Sequence, residues 1–117
     1  MLGLKVFIYY NLHKKVFSIK AMEGANKGCV IGYSHFITLS EATPKVSEAG
    51  RLRVLKEGVK NVHAGIIGTL LSVDKGTIKG LQVEYNPYLY TTFVYCHNLA
   101  PCGGGSFYLE NKKVFKI

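Results

Sequence analysis

Acidic residues are scarce in this chain: seven Asp and Glu stand against 15 Lys and Arg, a formal net charge of +8 over 117 residues. That scarcity removes most of the carboxylates that metal-dependent nuclease chemistry requires, and no carboxylate pair has acid and base spacing. Cysteine is sparse too. Cys29, Cys96 and Cys102 are odd in number and contain no Cys-x-x-Cys, which argues against a secreted disulfide framework and for reduced thiols. Cys96, His97 and Cys102, even with Cys29 as a fourth ligand, miss the spacing of the usual zinc knuckles, so neither a structural metal nor any other cofactor is expected. No apolar run approaches the roughly 20 residues that span a bilayer. Residues 1–11 lack a small-residue cleavage site and alternate like a strand. The expectation is a cytosolic protein without a membrane partner. There is no Ser-His-Asp set, and Gly103-Gly104-Gly105 lacks the Lys and Ser or Thr of a P-loop and precedes a strand, so it reads as a loop that could serve as a lid.

What is present is ordinary globular composition, 48% hydrophobic and 19% charged, at a length that suits one domain over residues 1–117. Lys5–Tyr10 and Val16–Ala21 are rich in β-branched and aromatic residues around the polar Asn11–Lys15 and read as an opening hairpin. After turn residues Gly24, Asn26 and Gly28, Cys29–Leu39 reads as a third strand that Thr43, Pro44 and Lys45 interrupt. Ser47 to about Glu57 is the one helix candidate, with Ser47 as cap, Glu48 in its first turn and Gly58 past its end. Asn61–Val73, containing Gly65 and Gly68, reads as a central strand. Leu81–Tyr85 and Leu89–Cys96 flank a turn at Asn86-Pro87, and Ser106–Ile117 reads as a closing hairpin turning at Asn111 and Lys112. The fold class is α+β, mainly antiparallel β: a small roll or partly open barrel of about seven short strands and one short helix. Lys14–Ile19 and Lys112–Ile117 share the pattern Lys-Lys-Val-Phe-x-Ile, which reads as repeated hairpin chemistry.

The positive charge favours anionic partners: nucleic acid, nucleotides, phosphorylated metabolites or acidic protein surfaces. It concentrates at Lys45, Arg51, Arg53, Lys56, Lys60 and His63 against only Glu48 and Glu57. A helical wheel puts Arg53, Lys56 and Glu57 on one side and Leu52, Val54 and Leu55 on the other, with Arg51 among the apolar three. A guanidinium there either meets a phosphate or pairs with a carboxylate such as Glu84. His63, beside the small Ala64 and Gly65, suits a phosphate donor, a general base or a ring satisfied by a backbone carbonyl. His13 reads as solvated in its turn and His35 as a sheet-surface residue. Tyr85, Tyr88 and Tyr90 cluster around Asn86-Pro87, where aromatic rings beside a basic patch suit base stacking and also suit half-buried strand positions.

The stretches Asn11-Leu12-His13-Lys14-Lys15, Ala49-Gly50-Arg51 with Arg53-Val54-Leu55, Lys60-Asn61-Val62-His63-Ala64 and Tyr85-Asn86-Pro87-Tyr88 followed by Phe93-Val94 resemble small phage and prophage proteins. The resemblance implies a phage origin and, by lifestyle, a protein that counters host defence. The leading expectation is a non-enzymatic binding protein for a phosphate-bearing ligand, either a nucleotide signal or nucleic acid. Arg51, Arg53, Lys60 and His63 would contact phosphate, Asn61 would hydrogen-bond, and Tyr85, Tyr88 or Tyr90 would stack. Two other readings fit the same residues: a metal-independent phosphodiesterase or nuclease using His63 as acid or base beside Arg51, and an inhibitor that masks an acidic host-protein surface. A homo-oligomer is compatible with each.

Overall fold

Alternation of apolar and polar residues builds the opening hairpin of strands β1 (Lys5–Asn11) and β2 (Val16–Ala21). The register sets Val6 beside Ala21, Ile8 beside Ile19 and Tyr10 beside Phe17, so the apolar side chains share one face. Asn11 makes the turn: its Oδ1 accepts from the amides of His13 and Lys14, both at 3.0 Å. The computed structural model describes residues 1–117, and in it the remaining elements extend this hairpin on both sides.

The expected strand Cys29–Leu39 is two strands, β3 (Val30–Ser34) and β4 (Phe36–Val46), broken at His35. Ser34 supplies the reason. Its hydroxyl donates to Asp74 Oδ1 at 2.6 Å and accepts from the amides of Phe36 (3.0 Å) and Asp74 (3.2 Å), which fixes a bend. His35 therefore sits at an exposed bend instead of on a sheet surface. Strand β4 also runs through Thr43, Pro44 and Lys45, contrary to the interruption expected at proline. Pairing with the later strand β8 (Gly105–Glu110) ends at Ala42, so beyond that point β4 is bonded on one side only and tolerates a residue without an N–H.

Helix α1 (Glu48–Glu57) forms where its caps place it. Ser47 accepts from the Gly50 amide, and Gly58 closes the helix at φ 67° with its N–H on the Val54 carbonyl. Only Val54 is buried. Leu52 and Leu55 are exposed, so the expectation that all three apolar residues face inward is corrected: Gly50, Arg51 and Val54 form the inner side. Strand β5 (Ala64–Val73) begins three residues later than the apolar run, and a Cβ at Gly65 would overlap the Ile8 carbonyl and the Phe7 ring, so β1 can approach only glycine there. Strands β6 (Leu81–Glu84), β7 (Val94–Tyr95) and β9 (Lys113–Lys116) complete the set. The expected strand Leu89–Cys96 shrinks to two residues because the amides of Leu89 and Tyr90 both turn back onto the Asn86 carbonyl.

The nine strands, where the sequence indicates about seven, form one antiparallel sheet in the order β3-β2-β1-β5-β4-β8-β9-β6-β7. It is open, since β3 and β7 do not pair. One face carries the core, including Ile8, Ile19, Ile37, Leu39, Ile66, Leu70, Phe107 and Leu109. With one short helix as its only other layer, the sheet buries that face by curling on itself. Residues of β1 and β6, five places apart in the strand order, accordingly line the same cleft. On the outer face Tyr108 stacks on Phe115 beneath Lys79, whose ammonium pairs with Glu110 at 2.6 Å. Hydrogen bonds from Lys79 and Tyr108 hold the Glu110 carboxyl below the usual carboxylate range.

Candidate functional site

The mouth of the curled sheet is a cleft of about 860 Å³. Its floor is the core itself, through Ile8, Phe17, Ile66, Val83, Phe93 and Leu109. Its walls are the tip of the β1–β2 hairpin, the segment from Lys60 to Gly65, strand β6 running into Tyr85, and Lys112 in the β8–β9 turn. Polar and charged groups come from different elements: Tyr9, Tyr10, Asn11 and His13; Lys60, Asn61 and His63; Gln82, Glu84 and Tyr85; and Lys112.

Asn61, His63 and Tyr85 form a chain of hydrogen bonds. His63 Nδ1 faces two oxygens, the Asn61 carbonyl at 3.2 Å and Asn61 Oδ1 at 3.1 Å, so in the neutral ring Nδ1 carries the hydrogen. His63 Nε2 then accepts from the Tyr85 hydroxyl at 2.8 Å. The Asn61 orientation agrees, because its Nδ2 donates to the Gly50 carbonyl. Burial, the largest influence, raises the Tyr85 phenol above its ordinary range, Arg51 counteracts it and Glu48 adds to it. The phenol therefore keeps its proton, as a donor to Nε2 must. Tyr85 also stacks on Phe93 with ring centroids 5.4 Å apart and meets the His63 ring edge-on. A Cβ at Gly50 would overlap His63 Cβ, so the glycine that lowers the propensity of α1 is what lets the helix close on this histidine.

Arg51 is turned elsewhere. Its Nε donates to the carbonyls of Pro87 (3.1 Å) and Tyr90 (3.0 Å), and its Nη1 to Glu48 at 3.0 Å, with the side chain 16% exposed. It meets two main-chain oxygens and a helix carboxylate, and Glu84 is not its partner. It ties α1 to the Asn86–Tyr90 turn. Arg53 is exposed and pairs with Glu57 at 3.6 Å. Tyr88 is exposed, and Tyr90 contributes a carbonyl to Arg51.

Of the eight residues singled out from the sequence, Lys60, Asn61, His63 and Tyr85 therefore share the cleft. Arg51, Arg53, Tyr88 and Tyr90 do not line it. Sequence reasoning missed Tyr9, Tyr10, Asn11, Gln82, Glu84, Phe93 and Lys112, and His13, read as solvated in its turn, is exposed there but also lines the cleft. Most carry no local signal, since they arrive through the curl of the sheet; Lys112 carries one, because a two-residue Asn-Lys hairpin turn lacks the glycine such turns favour. No three His, Cys, Asp or Glu side chains converge as a metal site would require. No helix is long and apolar enough to cross a membrane.

Residues 1–117 match the family model described as Mycobacterium phage L5 gene 82 protein. The gene 82 protein of Mycobacterium phage L5 is 40% identical over 118 residues, covering 95% of this chain and 94% of that protein. No solved structure matches the chain.

Proposed function

The chain belongs to the Mycobacterium phage L5 gene 82 protein family, and from that premise we propose that this phage protein binds a phosphate-bearing small molecule, a nucleotide, and withholds it from the host in the host cytosol. The observation that carries the reading is the cleft of about 860 Å³ with an apolar floor, Tyr85 in one wall stacked on Phe93 of that floor, and the cations Lys60 and Lys112 in other walls. Small-molecule sites run from about 300 to 1,000 Å³ and pair an apolar lining with a few placed polar groups. The size suits a nucleotide better than a nucleic-acid strand, which needs a long cationic track. Phosphate is matched by the lysines and the base by the aromatic wall.

Binding is favoured over turnover. Both nitrogens of His63 already have protein partners, Asn61 and Tyr85, an arrangement that supports a positioning role for the ring over proton transfer to a substrate. Arg51, the partner that a hydrolytic reading needs, spends its guanidinium on Pro87, Tyr90 and Glu48.

The test is native mass spectrometry of protein purified from phage-infected cells, followed by calorimetric titration with mononucleotides, cyclic dinucleotides and short single strands at low and physiological salt. A bound mass matching a nucleotide, with affinity lost about tenfold in Lys60→Ala and Tyr85→Ala, is the expected result. Tight binding of single strands alone would replace the nucleotide by nucleic acid. If no phosphate compound binds while an acidic host protein does, the cleft is not a ligand site and the inhibitor reading takes its place.

A further inference from the structure

We propose that Lys112 contacts the anionic group of the ligand, and that the β8–β9 turn holds it in that position at a cost to the turn's own stability. This rests on the nucleotide reading of the cleft and names the end of the cleft that receives the phosphate.

The β8 and β9 strands are joined by Asn111 and Lys112 alone, with φ 46° at Asn111 and φ 77° at Lys112. Both central residues of the turn are thus left-handed, as in a type I′ hairpin turn. Asparagine tolerates the first position because its short polar side chain bonds locally. The second is ordinarily glycine, since a Cβ at positive φ crowds the backbone. Lysine has neither advantage. A residue held in a sparsely populated conformation points to a functional demand when it also sits at a site, and Lys112 lines the cleft.

Its charge is also uncommitted. The ion pairs of the molecule join Arg51 to Glu48, Arg53 to Glu57 and Lys79 to Glu110, and Lys112 is in none of them. Glu110, two residues away, is occupied by Lys79 and by the Tyr108 hydroxyl. Glu84, also on the cleft, lies beyond ion-pair distance of Lys112. What the ammonium does meet is the face of Tyr10, 5.7 Å from the ring centroid, an interaction that aims it across the β1–β2 hairpin without neutralising it. A compact cation with three donors, positioned by a ring and lacking a carboxylate, fits a phosphate oxygen.

Lys15 provides the internal control. It too has a positive φ, 56°, at the end of the β1–β2 turn, although it is the second lysine of the Lys-Lys-Val-Phe-x-Ile pattern and Lys112 the first, and it does not line the cleft. Replacing either lysine by glycine relieves backbone strain; only one replacement should touch the ligand.

The experiment compares the full-length protein with Lys112→Gly, Lys112→Asn and Lys15→Gly, measuring melting temperature and calorimetric affinity for adenosine 5′-monophosphate and for inorganic pyrophosphate. Lys112→Gly should melt at the same temperature or up to about 5 °C higher. Its affinity for whichever probe the unmodified protein binds should fall about tenfold or more. Lys112→Asn, which keeps a side chain suited to positive φ, should show the same loss, and Lys15→Gly should keep full affinity. Unchanged affinity in both Lys112 variants overturns the assignment of Lys112 while leaving the cleft reading intact. A sharp drop in melting temperature in Lys112→Gly overturns the strain argument, because the lysine would then be stabilising its own turn. If the unmodified protein binds neither probe, the assignment of Lys112 to a phosphate group is overturned, while the cleft reading stands or falls on the wider nucleotide titration.

Discussion

The inner face of the sheet and the flank formed by α1 and the Asn86–Tyr90 turn are held by opposite kinds of interaction. On the inner face Ile8, Ile37, Leu39, Leu70 and Phe107 have no exposed surface, and their cohesion is burial summed over many non-directional contacts. On the flank α1 buries Val54 alone. It is kept in place by Arg51 on two carbonyls, by the Ser47 amide on the His63 carbonyl at 2.7 Å, and by the Gly50 approach to His63. Burial tolerates small exchanges, whereas a few directional bonds fail one at a time. The cleft lies between the two regions, its floor held by burial and the wall carrying Asn61 and His63 by a few directional bonds.

The contrast is broken most forcefully from the core side. Gly65→Val places a branched side chain where even a Cβ meets the Ile8 carbonyl and the Phe7 ring. Separating β1 from β5 should cost about 3 kcal/mol, read by urea unfolding as a lower midpoint. A tolerated valine would mean that the β1–β5 pair is as adjustable as the flank.

Arg51→Ala attacks the flank. Two main-chain carbonyls and Glu48 lose a donor that is largely shielded from water, which should cost about 2 kcal/mol. Hydrogen exchange is the sharper measurement: amides of residues 48–57 and 86–90 should lose protection while those of β4 and β5 keep theirs. Equal loss across β4 and β5 would show one cooperative unit and remove the distinction.

Tyr85→Phe acts at the boundary between the regions. It deletes the hydroxyl donated to His63 Nε2 and retains the ring that stacks on Phe93, so the expected loss is about 1 kcal/mol. Nitrogen-15 NMR of the imidazole should show Nδ1 still protonated and Nε2 deprived of its partner. Protonation at Nε2 in the unmodified protein would reverse the assigned tautomer.

This division also explains what could be read from the residues. The opening hairpin, the closing hairpin at Asn111 and Lys112, and the Ser47 and Gly58 caps are local events written in adjacent residues, and each forms where expected. The split at His35 was illegible because its cause, Asp74, lies 40 residues from Ser34. The passage of β4 through Pro44 depends on where β8 stops, another distant fact. In the candidate site the same rule holds. Lys60, Asn61 and His63 are legible because they are close in sequence, but Tyr10, Gln82 and Phe93 join them only after the sheet curls. Arg51 showed its half-buried setting through its apolar neighbours, while the carbonyls that occupy it come from a turn whose geometry no pattern displays.

The smallest effect is expected at Arg53, and it tests the comparison most finely because Arg51 is two residues away on the same helix. Arg53 Nε lies 3.6 Å from Glu57 Oε2, with the two side chains 70% and 53% exposed. Water screens such a pair, and ordering two long side chains offsets most of the attraction. Its direction is also the weaker one, since the base precedes the acid along the helix. Alanine, moreover, is the better helix former. Arg53→Ala should therefore change stability by less than about 0.5 kcal/mol, with exchange rates in residues 48–57 unaltered. Thermal unfolding of both alanine variants in one buffer, at low and high salt, makes the comparison direct. A loss at Arg53 equal to that at Arg51 would place both arginines in the same environment, as an extended segment with a common face would, and would contradict the inner side assigned to Gly50, Arg51 and Val54.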